Sequence, residues 1–190
     1  MRRHGWSLGG TVALLALLAT NACADGTGAP PAPAPPATAR PIPSPASPSA
    51  SLTAAQVAER DALAAYRGMW EDWVAIAATG DYQNPRLATH ASGPALSLIY
   101  RGVYANWRDG LVARGEPVLS PKTSAATPPG NPDRITITDC VDSSNWLNYR
   151  TDGQLENDTP GGRRFIQALA VQTAGEWKVD QLVVQALGTC

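Results

Sequence analysis

The sequence holds only two histidines, His4 and His90, and three cysteines. His90 alone lies beyond the first 23 residues, so a zinc site built from the usual imidazole and thiolate ligands is not expected. No basic run follows the extreme N-terminus, and the net charge is -1. The electrostatic basis for holding a phosphate backbone is missing, and no nucleic-acid partner is expected. No glycine-rich phosphate loop follows a strand-like segment, and no G-x-S-x-G nucleophile elbow is present. No cofactor is expected. The longest apolar stretch is about a dozen residues, short of the roughly 20 that a membrane-spanning helix needs.

What is there begins with a targeting pattern. Met1-Arg2-Arg3-His4 is a short positive start, and an apolar stretch from Leu8 to Ala19 follows. Small residues then lead to a cysteine, Ala19-Thr20-Asn21-Ala22-Cys23. This order is that of a secretory signal peptide. Its end resembles the lipobox of bacterial lipoproteins, in which the cysteine thiol is acylated before cleavage. Ala22 fits that pattern, whereas Thr20 stands where leucine is usual. The expectation is a signal peptide over 1–23 with Cys23 lipidated, and a protein held at the outer face of the cell membrane. Ordinary cleavage near Ala22 or Ala24, which releases a secreted protein, stays open. Two acyl chains would anchor stably, at about 0.8 kcal/mol per buried methylene.

Residues 24–50 are Pro, Ala, Ser and Gly with almost nothing large and apolar. Such a stretch cannot bury enough surface to offset ordering entropy, and reads as a disordered tether. Its prolines favour polyproline II, at about 3.1 Å per residue, for a reach of roughly 80 Å.

The folded domain is expected over 51–190. Thr53 and Gln56 have capping-box spacing, and Leu52 and Val57 sit where a hydrophobic staple forms. Ala58, Ala62, Tyr66, Met69 and Trp73 then recur at helical intervals, which predicts a long helix over 54–79 stopped by Gly80. Asn84-Pro85 restarts the chain as a short helix to about residue 91. A third helix is expected over 95–113, with Leu96, Ile99, Val103 and Trp107 as its buried stripe and Gly115 as its stop. The period then changes. Short strands are expected over 117–120, 134–141 and 145–151, and a hairpin joins 163–173 to 176–186 across Ala174-Gly175. Helices first and strands second give an α+β fold, three N-terminal helices packed on one face of a mainly antiparallel sheet.

Cys140 and Cys190 remain after Cys23, an even number in a chain read as exported. A disulfide between them is expected, closing a loop of about 50 residues and worth roughly 4 kcal/mol on the loop-entropy model. The other reading is two free thiols.

The paired tryptophans of Tyr66-Arg67-Gly68-Met69-Trp70-Glu71-Asp72-Trp73, the following helices and the terminal Gly175-Glu176-Trp177-Lys178-Val179 resemble the NTF2-like superfamily. That superfamily includes SnoaL-type and ketosteroid-isomerase-type domains. The resemblance runs from Leu52 to Gly188. Thr138-Asp139-Cys140-Val141-Asp142 and the terminal Cys190 are similar to a group of uncharacterised actinobacterial lipoproteins. The resemblance implies a cone, with helices wrapped by a curved sheet and a pocket at the wide end. It implies no single activity, because the fold hosts enzymes, binding modules and dimerisation domains. Homodimers through the open sheet face are common in the superfamily.

No residue set matches the isomerase catalytic pattern, so no catalytic residue is assigned. Asp72, Asp139 and Asp142 read as caps, turn residues or solvated charges. Tyr66, Trp70, Trp73, Tyr100, Tyr104, Trp107 and Trp146 have two readings, core packing or the lining of a pocket for an apolar or sugar-like ligand. The expected function is a non-enzymatic module that binds an apolar ligand or an envelope protein. The alternative is a small pocket enzyme, an isomerase or hydrolase, using an Asp beside a Tyr as acid and base.

Overall fold

The computed structural model describes residues 51–190. The expected signal peptide over 1–23, its Cys23 and the tether over 24–50 lie outside the described residues.

The domain is α+β. Helix α1 is Ala54–Ala77, and its capping box forms: Gln56 N–H donates to Thr53 Oγ1 at 3.3 Å, and Thr53 N–H donates to Gln56 Oε1 at 2.9 Å. Ala58, Ala62, Ala65, Tyr66, Met69 and Trp70 are its buried stripe.

Among the described residues there are two α-helices where three helices were expected. Pro85–Ala88 is one turn of 3-10 helix, capped by Asn84 Oδ1, which accepts from Arg86 N–H at 3.0 Å. It cannot lengthen, because the chain just beyond it is pulled onto the sheet. Val179 N–H donates to His90 C=O at 2.8 Å, and Ser92 N–H donates to Val179 C=O at 2.8 Å. Helix α2 is Gly93–Arg108. Pro94 sits in its first turn, where the missing N–H is harmless. The helix stops at Gly110 rather than Gly115, because Gly110 takes the left-handed conformation first, at φ 68°.

The strands are β1 (Leu111–Arg114), β2 (Lys122–Thr127), β3 (Arg134–Asp142), β4 (Leu147–Arg150), β5 (Arg163–Thr173) and β6 (Glu176–Val184). Strands β2, β3, β5 and β6 lie in that order in one curved antiparallel sheet, and β1 pairs with β4 separately. The strand expected over 117–120 reduces to one bridge, Val118 to Asp142. The β5–β6 hairpin turns at Ala174 and Gly175, both at positive φ, as a two-residue turn between twisted strands prefers.

One face of the sheet carries Ile135, Ile137, Asp139 and Val141 from β3, and Ile166, Ala168 and Ala170 from β5. On β6 a register shift opposite Leu169 and Ala170 lets Val179 and Leu182 both face inward although they are three apart. This face and the stripe of α1 enclose the core. The disulfide Cys140–Cys190 is present, with a Cα–Cα separation of 5.9 Å, and ties the chain end to β3.

Candidate functional site

The tryptophans of α1 do not all face the sheet's middle. Trp70 and Trp73 are three apart, and their rings stack with centroids 5.0 Å apart and planes 18° from parallel. Trp146, on the turn before β4, meets both edge-on, at 5.9 Å from Trp70 and 5.3 Å from Trp73. The three rings wall one side of a cavity of about 410 Å³ between the helices and the end of the sheet. Val141, Val184 and Leu187 add apolar floor. Residues of the segment 155–161 line it as well, and Gly161 is required there: a Cβ at that position would collide with the Ser143 carbonyl.

The polar wall is ordered. Asn106 Nδ2 on α2 donates to Asn148 Oδ1 at 3.1 Å, and Asn148 Nδ2 donates to Glu156 Oε2 at 3.1 Å. Arg164, at the start of β5, also lines the cavity. Its Nε is buried without a hydrogen-bond acceptor, and so is the indole nitrogen of Trp146. The Trp70 indole N–H is likewise buried without an acceptor.

Two aspartates read from the sequence as caps or solvated charges are buried. Asp139 accepts from Tyr66 Oη at 3.1 Å and from Ser120 N–H at 2.8 Å. Burial pushes its carboxyl above the ordinary aspartate range, against the opposing effect of those two donors. Burial, and then the Asp139 charge, push the Tyr66 hydroxyl far above its usual value. Neither side chain lines the tryptophan-walled cavity. Asp72 is 4% exposed and holds Arg86 Nε through one oxygen and His90 Nδ1 through the other, at 2.7 Å. Asp142 ends β3 and holds the turn that follows: its Oδ1 accepts from Ser144 Oγ at 2.6 Å and Ser144 N–H at 2.9 Å, which holds its carboxyl low.

No family model matches the chain, and no curated protein matches it. Solved structures that resemble it include Aln2 from a Streptomyces species, 12% identical over 66% of this chain and 88% of that one, with a TM-score of 0.44. An NTF2 design is 10% identical over 63% and 96%, with a TM-score of 0.37. A protein of unknown function with a cystatin-like fold from Nostoc punctiforme is 18% identical over 74% and 100%, with a TM-score of 0.36.

Of the seven aromatic residues singled out from the sequence, Trp70, Trp73 and Trp146 line the cavity. Tyr66 is fully buried behind it. Tyr100, Tyr104 and Trp107 lie on the outer face of α2, four and three residues apart, and are partly exposed. They gather around Tyr82, whose ring centroid is 5.7, 5.1 and 4.8 Å from theirs. Tyr100 lines a shallower groove with Tyr82, Asn84 and Leu96; Tyr104 and Trp107 line neither hollow. Sequence reasoning missed Arg164. The signal was parity: it stands two, four and six residues before Ile166, Ala168 and Ala170, hence on the inward face of β5.

Proposed function

We propose that the chain is an exported lipoprotein, acylated at Cys23 and tethered through 24–50, whose NTF2-like domain binds a small, largely apolar ligand without chemistry. One observation carries the binding reading: a tryptophan-walled cavity of about 410 Å³ with a few ordered polar groups. That volume lies in the usual range for small-molecule sites, and predominantly apolar lining with sparse polar groups is their common character. The Cys140–Cys190 bridge is compatible with a compartment outside the cytoplasm.

The enzymatic alternative has one feature in its favour, a buried aspartate within hydrogen-bond reach of a tyrosine hydroxyl. Both side chains stand outside the cavity lining, so a substrate in the cavity would not meet them.

Calorimetric titration of the mature protein with flat apolar compounds tests the binding reading. Saturable binding, weakened at least tenfold by Trp146→Ala, is the expected result. A panel that gives no saturable heat in the wild type would end it. Mass spectrometry of the N-terminal peptide reads the anchor, and an unmodified Cys23 in the membrane fraction would refute acylation.

A further inference from the structure

Resting on that reading of the cavity, we infer that its ligand is a monoanion, a flat apolar body carrying one carboxylate, and that Arg164 is the residue that recognises the carboxylate. The argument starts from strand parity. Arg164 lies on the inward face of β5, opposite Val141 of β3, while its neighbour Arg163 lies on the outward face beside Cys140. Arg164 is half-buried there, and a charge drawn part-way out of water is costly unless it is paired. Arg164 makes no ion pair and no hydrogen bond among the described residues, although its Nε is fully buried. The guanidinium therefore sits at the cavity wall with the paired N–H donors of its two terminal nitrogens unused. Such a fork matches the two oxygens of a carboxylate.

The cavity's own acid does not satisfy it. Glu156 is held by Asn148 Nδ2 at 3.1 Å and does not come within ion-pair distance of Arg164. Glu156 also limits the ligand's charge. With one cation and one carboxylate on the wall, a monoanion leaves the site at a net charge of -1, whereas a dianion such as a phosphate monoester would add a second repulsion. The Trp70, Trp73 and Trp146 rings supply flat faces for the apolar body.

The probes are 2-naphthoate and its neutral amide, 2-naphthamide, titrated calorimetrically into the mature protein at pH 7. The expected result is naphthoate binding at least tenfold tighter than the amide. In Arg164→Gln that preference should fall to within twofold, with the amide affinity unchanged. Arg164→Lys, which keeps the charge but loses the planar fork, should fall between. Circular dichroism checks that each variant is folded; if Arg164→Gln does not fold, the wild-type and Arg164→Lys comparisons still decide. Equal affinity for acid and amide in the wild type overturns this inference and leaves the binding reading standing. Absence of binding by both compounds overturns both.

Discussion

The Tyr66 hydroxyl donates to Asp139 Oδ2 at 3.1 Å, which joins α1 to β3 inside the core across 73 residues of chain. Ser120 N–H holds the other carboxylate oxygen at 2.8 Å. Because burial raises the Asp139 carboxyl above its unfolded value, the native state binds the proton more tightly than the unfolded chain. That contribution to stability is fully present below the unfolded value of about 4 and is lost as pH rises through the raised folded value. Asp139→Asn keeps an acceptor for Ser120 and turns a donor toward Tyr66, but does not titrate. Urea midpoints measured from pH 4 upward should therefore fall more steeply in the wild type than in Asp139→Asn. Parallel profiles would show that Asp139 is ionised at no cost in the native state.

Cys190 lies 50 residues from Cys140, in a tail that is also hydrogen-bonded to β5: Gly188 N–H donates to Arg163 C=O at 2.7 Å, and Phe165 N–H donates to Thr189 Oγ1 at 2.8 Å. Cys140→Ser with Cys190→Ser should cost up to about 4 kcal/mol by loop entropy. The tail places Leu187 in the cavity floor, so affinity for an apolar ligand should fall in the same variant. Unfolding curves and binding titrations on the double variant read both effects.

Trp70 and Trp107 are both aromatic helix residues with opposite fates. Trp70 is 4% exposed and touches Tyr66, Trp73 and Trp146; Trp107 is 51% exposed and packs on Tyr82 and Tyr104. Trp70→Ala should cost about 3–5 kcal/mol, as removal of a buried indole does. Trp107→Ala should cost about 0.5–1.5 kcal/mol, the scale of an aromatic pair contact. Denaturant midpoints at unchanged slope separate the two.

The sequence carried the α+β order, the capping box at Thr53 and Gln56, the turn at Ala174-Gly175 and the Cys140–Cys190 pairing, because each depends on local chemistry or on a count. It did not carry β2. Lys122-Thr123-Ser124-Ala125-Ala126-Thr127 has no large apolar residue to mark a face, and a bulge at Thr123 to Ala125 disturbs its period. Nor did it carry the burial of Asp72 and Asp139. An aspartate goes inside only when donors meet it there, and these arrive from Arg86 and His90, or from Tyr66 and Ser120, by tertiary packing. The cavity wall was half legible, since the spacing of Trp70 and Trp73 puts both on one helix face, while Trp146 reaches them only through the fold.

The Asp72 carboxylate is the hub of a three-residue cluster, and its partners should prove interdependent. Asp72 is buried, while the side chains of Arg86 and His90 are 51% and 37% exposed. Glycine at position 68 lets this cluster form, because a Cβ there would lie 2.8 Å from the His90 ring. Removing Arg86 leaves the carboxylate with His90 alone; removing both leaves a buried charge with no counter-group, the costly state for a carboxylate. Arg86→Ala and His90→Ala should each cost about 1–2 kcal/mol, reduced from the fully buried case by their exposure. The double variant should lose more than the sum, with a coupling of roughly 0.5–3 kcal/mol. Once Asp72→Ala has removed the hub, both substitutions should become nearly neutral. A double-mutant cycle on urea unfolding measures this directly, and additive losses that persist in the Asp72→Ala background would mean that Arg86 and His90 stabilise the domain through other contacts.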